Sequence, residues 1–198
     1  MRFIIATNNQ KKLKEFRRIL DSYGIEAVSL KEAGIETEIE ETGTTFEENS
    51  FIKAKAICDL SGQPAIADDS GLAVDALGGA PGVYSARYSG EGATDEKNNQ
   101  KLLAALEGVP AEDRGAKFVS VITCVFPDGR SFHTRGECPG VIGLAPKGDS
   151  GFGYDPLFYV GEDKTFASIG PDEKDAISHR GKALADFAPL LQQYLKER

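Results

Sequence analysis

The first third of the chain alternates between short apolar runs and amphipathic stretches. Residues 2–7 (RFIIAT) form an apolar run that is typical of a buried strand. Apolar residues then recur at helical spacing from Leu13 to Tyr23, and Gly24 is a good helix stop. Residues 25–30 (IEAVSL) predict a second strand beside the first. Early alternation of strands and helices favours a mixed α/β sheet.

A second helix is predicted from Thr45 to Leu60. Thr45 and Glu48 have the spacing of a capping box. Asn49 and Lys53 are four residues apart, so they share one helix face, which is otherwise apolar. The two polar side chains could reach an anion, although a lysine whose stem leads out of the core to solvent explains Lys53 equally well.

The second half of the chain predicts a hairpin flanked by helices. Residues 94–106 begin with a cap and continue as a helix. Residues 116–126 alternate and are rich in β-branched and aromatic side chains, and residues 130–142 return after a turn, so we expect an antiparallel hairpin. A long C-terminal helix follows, which Pro189 should kink near Asp186 or restart.

Two strand-like runs flank the segment Asp68-Asp69-Ser70-Gly71. Adjacent carboxylates are costly to bury without a counter-ion, and they suit a hard divalent cation. A solvated turn explains the same four residues, since Asp, Ser and Gly are all turn formers. The glycine-rich residues 78–82 and the cation Arg87 favour a site, because they offer flexible backbone and a positive charge nearby.

Acidic residues also alternate with apolar ones in residues 35–41. Glu36, Glu38 and Glu40 share one face of this extended segment. An exposed acidic edge explains the pattern, and a metal-binding role for the last acid is the sharper hypothesis.

Composition narrows the class of protein. The chain has 198 residues and a net charge of −8, which argues against binding along a nucleic-acid backbone. No apolar run approaches the 18 residues of a membrane span, and the N-terminus lacks a signal-peptide plan. Three cysteines without a CxxC pair indicate a reduced, cytoplasmic protein.

Candidate ligand-binding groups lie in three further segments. Residues 7–12 join the first strand to a helix whose N-terminus could bind an anion, unless Asn8 or Asn9 merely caps it. Phe152-Gly153-Tyr154-Asp155 could stack on a base or pack inward. Basic groups at a predicted helix start are either ligand contacts or ordinary surface charges: Lys174, His179 and Arg180.

These sets together suit one ligand, which carries a polyphosphate, a magnesium ion and a base. The segments AIADDSGLAVDALGGAPGVYSARYSG, GFGYDP and AISHRG closely resemble the inosine triphosphate pyrophosphatase family, also called XTP/dITP diphosphatases. The resemblance runs from Ala6 to about Leu184. It implies an elongated mixed β-sheet with helices on both faces, in two lobes around a central nucleotide cleft. Residues 1–198 would form one domain, with the hairpin lobe at roughly 112–145.

The resemblance also implies an activity. The family cleaves ITP, dITP and XTP to the monophosphate and pyrophosphate, uses Mg²⁺ and usually forms a homodimer. A Maf-like nucleotide pyrophosphatase and a non-catalytic nucleotide sensor are the alternatives. Neither nucleic acid nor a membrane is an expected partner.

Residue roles follow from the same resemblance. Asp69 would be catalytic and would hold the metal with Glu40, and Glu41 is the alternative second ligand. Arg180 would donate to the 6-keto oxygen that distinguishes ITP from ATP. The family usually has Gly where this chain has Asn8, a residue that tolerates a left-handed backbone. The expected substrate contacts are Thr7, Asn8, Asn9, Gln10, Lys11, Lys12, Lys53, Ser70, Phe152, Gly153, Tyr154, Asp155, Lys174, His179 and Arg180.

Overall fold

A computed structural model describes residues 2–196 of the chain. Within that range the helices and strands alternate in the first half, and a hairpin and two helices occupy the second half. In chain order they are β1 (Arg2–Ile5), α1 (Gln10–Ser22), β2 (Glu26–Ser29), α2 (Phe46–Ser61), β3 (Ala65–Val74), α3 (Asp95–Ala105), β4 (Gly115–Val125), β5 (Ser131–Ile142), β6 (Phe158–Tyr159), α4 (Pro171–Ile177) and α5 (His179–Lys196).

The strands of the described range form one six-stranded sheet in the order β2-β1-β3-β4-β5-β6. β1 is parallel to both β2 and β3, whereas β5 and β6 are antiparallel. β4 and β5 are neighbours joined by the short turn 126–130, and so short a connection permits only an antiparallel pair. The predicted mixed α/β sheet is therefore confirmed.

The chain divides into two compact units. Over the described residues, unit 1 comprises 2–69, 120–136 and 180–196. Unit 2 comprises 70–119 and 137–179.

The core of unit 1 covers both faces of its strands. Phe3 and Ile5 of β1 pack in a cluster with apolar residues of α1 and α5. Ile4 and Ala6, which alternate with them, pack in a second cluster with α2. A strand that is buried on both faces has no solvent-facing side, which explains why the buried residues Phe3 to Ala6 are all apolar.

The core of unit 2 is built around aromatic rings. Phe118 of β4 lies edge-on to Phe158, with 4.7 Å between the ring centroids, and stacks on Phe166 at 5.7 Å. Leu102 and Leu106 of the α3 region pack into the same cluster. Such aromatic pairs add roughly 0.5–1.5 kcal/mol each beyond the area they bury.

The predicted helix boundaries are largely confirmed. Thr45 and Glu48 form the expected capping box at the start of α2, which ends at Gly62 in a left-handed conformation. Thr94 caps α3 by accepting a hydrogen bond from the amide of Lys97. Each cap satisfies helix-terminal N–H groups that would otherwise lack partners.

Two of the local alternatives were wrong. Asp68-Asp69-Ser70-Gly71 is not a turn, because β3 runs unbroken from Ala65 to Val74 through it. The expected restart of the last helix at Pro189 does not occur, since α5 continues past it to Lys196. The acids stay in the strand because each has cationic partners, described below.

The side chains of Cys58, Cys124 and Cys138 are all buried. Cys58 and Cys124 belong to the core clusters of unit 1, and Cys138 belongs to that of unit 2. Burial raises the pKa of the Cys58 and Cys124 thiols. Separately, none of the helices within residues 2–196 is long and apolar enough to cross a membrane.

Candidate active site

Asp68 is the centre of a charged cluster in unit 1. Its Oδ1 accepts a hydrogen bond from the Ser120 hydroxyl at 2.5 Å. Its Oδ2 lies 2.8 Å from Lys12 Nζ and 3.1 Å from a guanidinium nitrogen of Arg180. Burial alone would raise the pKa of Asp68, but Arg180 and Lys12 outweigh it and hold that pKa well below the usual range.

Arg180 links Asp68 to α1. Only 2% of Arg180 is exposed, and its guanidinium also forms an ion pair with Glu15. Two carboxylates therefore balance its charge, as a buried guanidinium requires. In this position Arg180 fixes Asp68 and, through Asp68, the ammonium group of Lys12.

Asp69 points to the other side of β3, since successive strand residues alternate. Its Oδ1 lies 3.1 Å from Lys53 Nζ of α2, and Lys53 also contacts Glu41 at 2.6 Å. The Oδ2 of Asp69 is buried and has no hydrogen-bond partner among residues 2–196. One oxygen of this carboxylate is thus held by Lys53, and the other could accept a proton or bind a ligand.

The electrostatic surroundings of Asp69 differ from those of Asp68. Burial raises the pKa of Asp69, and the nearby charge of Glu41 adds to the increase, while Lys53 and Lys12 oppose it. Burial alone would lower the pKa of Lys53, but Asp69 and Glu41 raise it above the ordinary value. Lys53 therefore stays charged beside a carboxylate that binds a proton more readily than usual.

The segment that carries Glu41 is anchored to α2 by Asn49. The fully buried Asn49 accepts a hydrogen bond from the amide of Gly43 at 2.8 Å. A Cβ on Gly43 would lie 2.6 Å from Cβ of Glu48, so only glycine fits this close approach. Asn49 and Lys53 thus both contact the segment 41–43 from one face of α2, and their contact with an anion stays a prediction.

The loop between β1 and α1 is held by local hydrogen bonds. Asn9 Oδ1 accepts from the amides of Lys11 at 3.0 Å and Lys12 at 3.1 Å, so this residue caps the helix. The amide of Asn9 in turn donates to the Thr7 hydroxyl at 3.1 Å. Within residues 2–196 only glycines have positive φ, so Asn8 does not adopt the left-handed conformation.

Unit 2 contains a second, mainly aromatic cluster. Lys174 of α4 forms a buried ion pair with Asp155 at 2.7 Å. Its Nζ also lies 5.0 Å from the centre of the Phe152 ring, a cation–π distance. The same Asp155 carboxylate accepts from the amide of Phe152 at 2.9 Å, which holds the loop closed on itself.

His179 and Tyr154 complete the aromatic surroundings of unit 2. The buried imidazole of His179 stacks on Phe118, with the centroids 4.8 Å apart and the planes 13° from parallel. The buried Tyr154 donates its hydroxyl to the carbonyl of Ser85 at 2.7 Å. Tyr154 therefore packs inward, whereas Phe152 is half-buried.

The predicted site residues thus fall into two groups. Unit 1 brings together Lys12, Lys53, Asp69 and Arg180, and Thr7 to Lys11 lie in the loop that leads to Lys12. The side chain of Glu40 is exposed, and Glu41 instead contacts Lys53. Ser70 is half-buried at the first position of unit 2. The remaining predicted residues of unit 2 are Phe152, Gly153, Tyr154, Asp155, Lys174 and His179.

Two members of the charged cluster escaped the sequence analysis. Ser120 is a polar residue in an otherwise apolar run of β4, which is a signal that could have been used. Glu15 lies one helical turn after Lys12 on α1, but nothing in the sequence indicated its partner on α5.

The described residues contain no group of three or more His, Cys, Asp or Glu side chains arranged to hold a metal ion.

Comparison with known proteins identifies the family. The model of the Ham1 family matches residues 3–190. The chain belongs to the Ham1 family. A relative from Desulfotalea psychrophila, named dITP/XTP pyrophosphatase, is 52% identical over 199 residues, which cover 98% of this chain and 88% of the relative. The dITP/XTP pyrophosphatase of Desulforamulus reducens is 50% identical over 194 residues and covers 98% of this chain and 96% of its own length.

A solved structure of this family has the same fold. The HAM1 protein from Coxiella burnetii superposes with a TM-score of 0.88 at 42% sequence identity, over 98% of this chain and 99% of the other. The family resemblance carried by the three sequence segments is confirmed.

Proposed function

We propose that this Ham1-family chain hydrolyses the noncanonical purine nucleoside triphosphates dITP, XTP and ITP to the monophosphate and pyrophosphate. The chain is a hydrolase that acts on acid anhydrides, as its close relatives named dITP/XTP pyrophosphatase are. The observation that supports the reaction most directly is Asp69, with one oxygen held by Lys53 and the other buried without a partner among residues 2–196.

The charged cluster of unit 1 suits the phosphate chemistry. Lys12 and Lys53 would offset the charge on the phosphate oxygens and on the departing pyrophosphate. Asp69 would take a proton from a water whose oxygen attacks the α-phosphorus, and the raised pKa of Asp69 makes it a better base. The bond from the α-phosphorus to the bridging oxygen then breaks, and pyrophosphate leaves with the electron pair.

Mg²⁺ is the proposed cofactor. Asp69 and Glu41 offer the carboxylate oxygens that this ion prefers, and the predicted ligand Glu40 directly precedes Glu41 in the chain. Two protein carboxylates are enough, because Mg²⁺ commonly completes its shell with water and substrate phosphates. When bound, the ion would offset negative charge on the triphosphate. Comparing the Mg²⁺ dependence of Glu40→Gln and Glu41→Gln identifies the ligand, because loss of a ligand raises the Mg²⁺ concentration needed for half-maximal activity.

The aromatic cluster of unit 2 suits the base. The half-buried Phe152 presents a ring for stacking, and the ammonium group of Lys174 is held beside it by Asp155. A protein donor placed at position 6 of the purine would favour ITP over ATP. The 6-keto oxygen of ITP accepts its hydrogen bond, whereas the 6-amino group of ATP leaves the donor without an acceptor. Lys174 is a hydrogen-bond donor beside the Phe152 ring. The contact of Arg180 with the 6-keto oxygen stays a prediction, since the Arg180 guanidinium pairs with Glu15 and Asp68.

The first test is an end-point assay with ITP, dITP, XTP and ATP, each with Mg²⁺ and with EDTA, followed by chromatography of the products. IMP and pyrophosphate, formed from ITP only with the metal and much faster than AMP from ATP, are expected. Release of IDP and phosphate would overturn the reaction, and tight ITP binding without turnover would indicate a nucleotide sensor.

The position of attack can be read from the same reaction in ¹⁸O-water. Attack at the α-phosphorus places the label in IMP, whereas attack at the β-phosphorus places it in pyrophosphate. Label in pyrophosphate would contradict the assignment of Asp69 as the base at the α-phosphorus.

We also propose, from the family resemblance, that the protein acts as a homodimer and binds no nucleic acid. Light scattering of the purified protein should give twice the mass of the 21.3 kDa chain. Its charge of −8 should prevent binding to DNA at any salt concentration.

A further inference from the structure

Helix α3 holds the backbone of Gly153 from both sides. Asp95 Oδ2 accepts a hydrogen bond from the amide of Gly153 at 2.8 Å. Asn99 Nδ2, one helical turn further along, donates to the carbonyl of the same glycine at 2.9 Å. The amide and the carbonyl of Gly153 belong to successive peptide planes, so this pair of bonds fixes both planes.

The same helix also holds a second segment of unit 2. Asn98 donates to the carbonyls of Ser85 and Ala86, at 3.3 and 3.1 Å, and accepts from the amide of Ser89 at 2.8 Å. The carbonyl of Ser85 is also the partner of the Tyr154 hydroxyl. Consecutive polar residues of α3 therefore connect the helix to two loops that contact each other through Tyr154.

Gly153 is the residue that most needs such support. Its φ is +61°, a backbone conformation that glycine adopts freely, and a free loop would exchange it for others. Gly153 directly follows Phe152, so the two peptide planes around it determine where the Phe152 ring lies. On the far side, Asp155 fixes the amide of Phe152 and the ammonium group of Lys174.

We propose that Asp95 and Asn99 are positioning residues that preorganise the loop Phe152–Asp155 for the purine base. This inference rests on the proposed function, in which that loop binds the base. Neither residue need touch the nucleotide. Their effect is to hold the Phe152 ring and Lys174 in the binding arrangement before the nucleotide arrives, which removes an ordering cost from binding.

The kinetic test compares Asn99→Ala with Gln100→Ala. Gln100 is the exposed neighbour on α3, and its amide donates a hydrogen bond to Glu96 of the same helix. Asn99→Ala should raise KM for ITP about tenfold and narrow the preference for ITP over ATP, while kcat changes less than about threefold, because the reacting phosphates contact unit 1. Gln100→Ala should behave as the wild type. Equal KM for both variants would overturn the proposal.

Isosteric variants separate positioning from folding. Asn99→Asp keeps the size of the side chain but faces the Gly153 carbonyl with an acceptor, so KM should rise more than in Asn99→Ala. Asp95→Asn keeps an acceptor for the Gly153 amide and should largely restore the binding that Asp95→Ala loses. A fall in melting temperature that accounts for each loss of activity would contradict a positioning role.

A readout independent of activity tests the two bonds themselves. In the wild type the Gly153 amide should exchange its hydrogen slowly, and in Asp95→Ala about tenfold or more faster, as measured by NMR. Unchanged exchange would refute the positioning role of Asp95 even in an active enzyme. Conversely, a protected Gly153 amide in a protein that fails to cleave ITP would support the hydrogen bond from Gly153 to Asp95 and refute the proposed function.

Discussion

The charged cluster of unit 1 and the aromatic cluster of unit 2 use opposite means to prepare a site. In unit 1, ionised side chains from four parts of the chain hold one another, and Asp68 alone contacts Lys12, Arg180 and Ser120. In unit 2, the buried ion pair between Lys174 and Asp155 lies among aromatic rings. Phosphates require fixed charges, whereas a base requires a flat apolar surface and a few donors.

The difference also shows how each cluster is kept in place. In unit 1, Lys12, Lys53, Asp68, Asp69 and Arg180 all lie on β-strands or α-helices, so the secondary structure itself positions these charges. Phe152 and Gly153 of unit 2 lie in a loop, and side chains of α3 and the carboxylate of Asp155 must hold that loop. Substitutions in the charged cluster of unit 1 should therefore mainly lower kcat, and substitutions in the aromatic cluster of unit 2 should mainly raise KM.

The largest expected effect is on stability, at Asp68. Asp68→Asn leaves Lys12 and Arg180 without their shared carboxylate, and breaking a buried ion pair costs about 3 kcal/mol of unfolding free energy. We expect the melting temperature to fall by about 6–12 °C. Asp69→Asn is the matched control. Because folding raises the Asp69 pKa, folding disfavours its charge, so this variant should melt no lower than the wild type.

Turnover shows the next effect. Asp69→Asn should lower kcat by at least ~100-fold, because it removes the proposed general base and one proposed ligand of the metal. The loop proposed to bind the purine is left intact. KM for ITP should change little. Near-normal turnover in steady-state kinetics would remove Asp69 from the catalytic role.

Binding through stacking is expected to matter somewhat less. Phe152→Ala should raise KM for ITP by about 10-fold, since stacking of a base on an aromatic ring contributes about 1–3 kcal/mol. Phe152→Tyr keeps the ring and serves as the control. A loss of kcat with unchanged KM would assign Phe152 to the phosphate chemistry. It would also contradict the expectation that substitutions in unit 2 mainly change binding.

The smallest effect is expected at Gly153. A Cβ there meets nothing within 4 Å, so Gly153→Ala introduces no clash, but its positive φ costs alanine about 1 kcal/mol. KM for ITP should rise a few-fold with kcat nearly unchanged, and the melting temperature should fall by about 2–4 °C. Calorimetric titration with ITP in EDTA measures the change in affinity directly, and an unchanged affinity would show that the loop tolerates another backbone conformation.

The sequence predicted the framework of the fold because its signals are local. The capping box at Thr45, the cap at Thr94 and the apolar run of β1 each depend on neighbouring residues, and all three were confirmed. The strand through Asp68 and Asp69 was missed because its stability depends on distant partners on α1, α2 and α5. Pro189 was assigned too strong an effect, since packing against the apolar core keeps α5 helical.

The candidate site shows the same division. Its segments were found by family resemblance, and the Ham1 match favours the purine enzymes over the Maf-like alternative. Helical spacing alone predicted that Asn49 and Lys53 share one face of α2, and their role in a site stays a prediction. Glu15, Asp95 and Asn99 were not assigned to the site, because their partners are at least 54 residues away in the chain and their sequence surroundings look like ordinary helix surface.

The three buried thiols allow the opening of each unit to be measured separately by its rate of labelling. A thiol reagent in solution reaches Cys58 and Cys124 only when unit 1 opens, and Cys138 only when unit 2 opens. The rate at which each cysteine becomes labelled in the native protein therefore reports the opening of its own unit. Addition of ITP in EDTA should slow labelling at whichever unit the nucleotide stabilises, without any engineered probe.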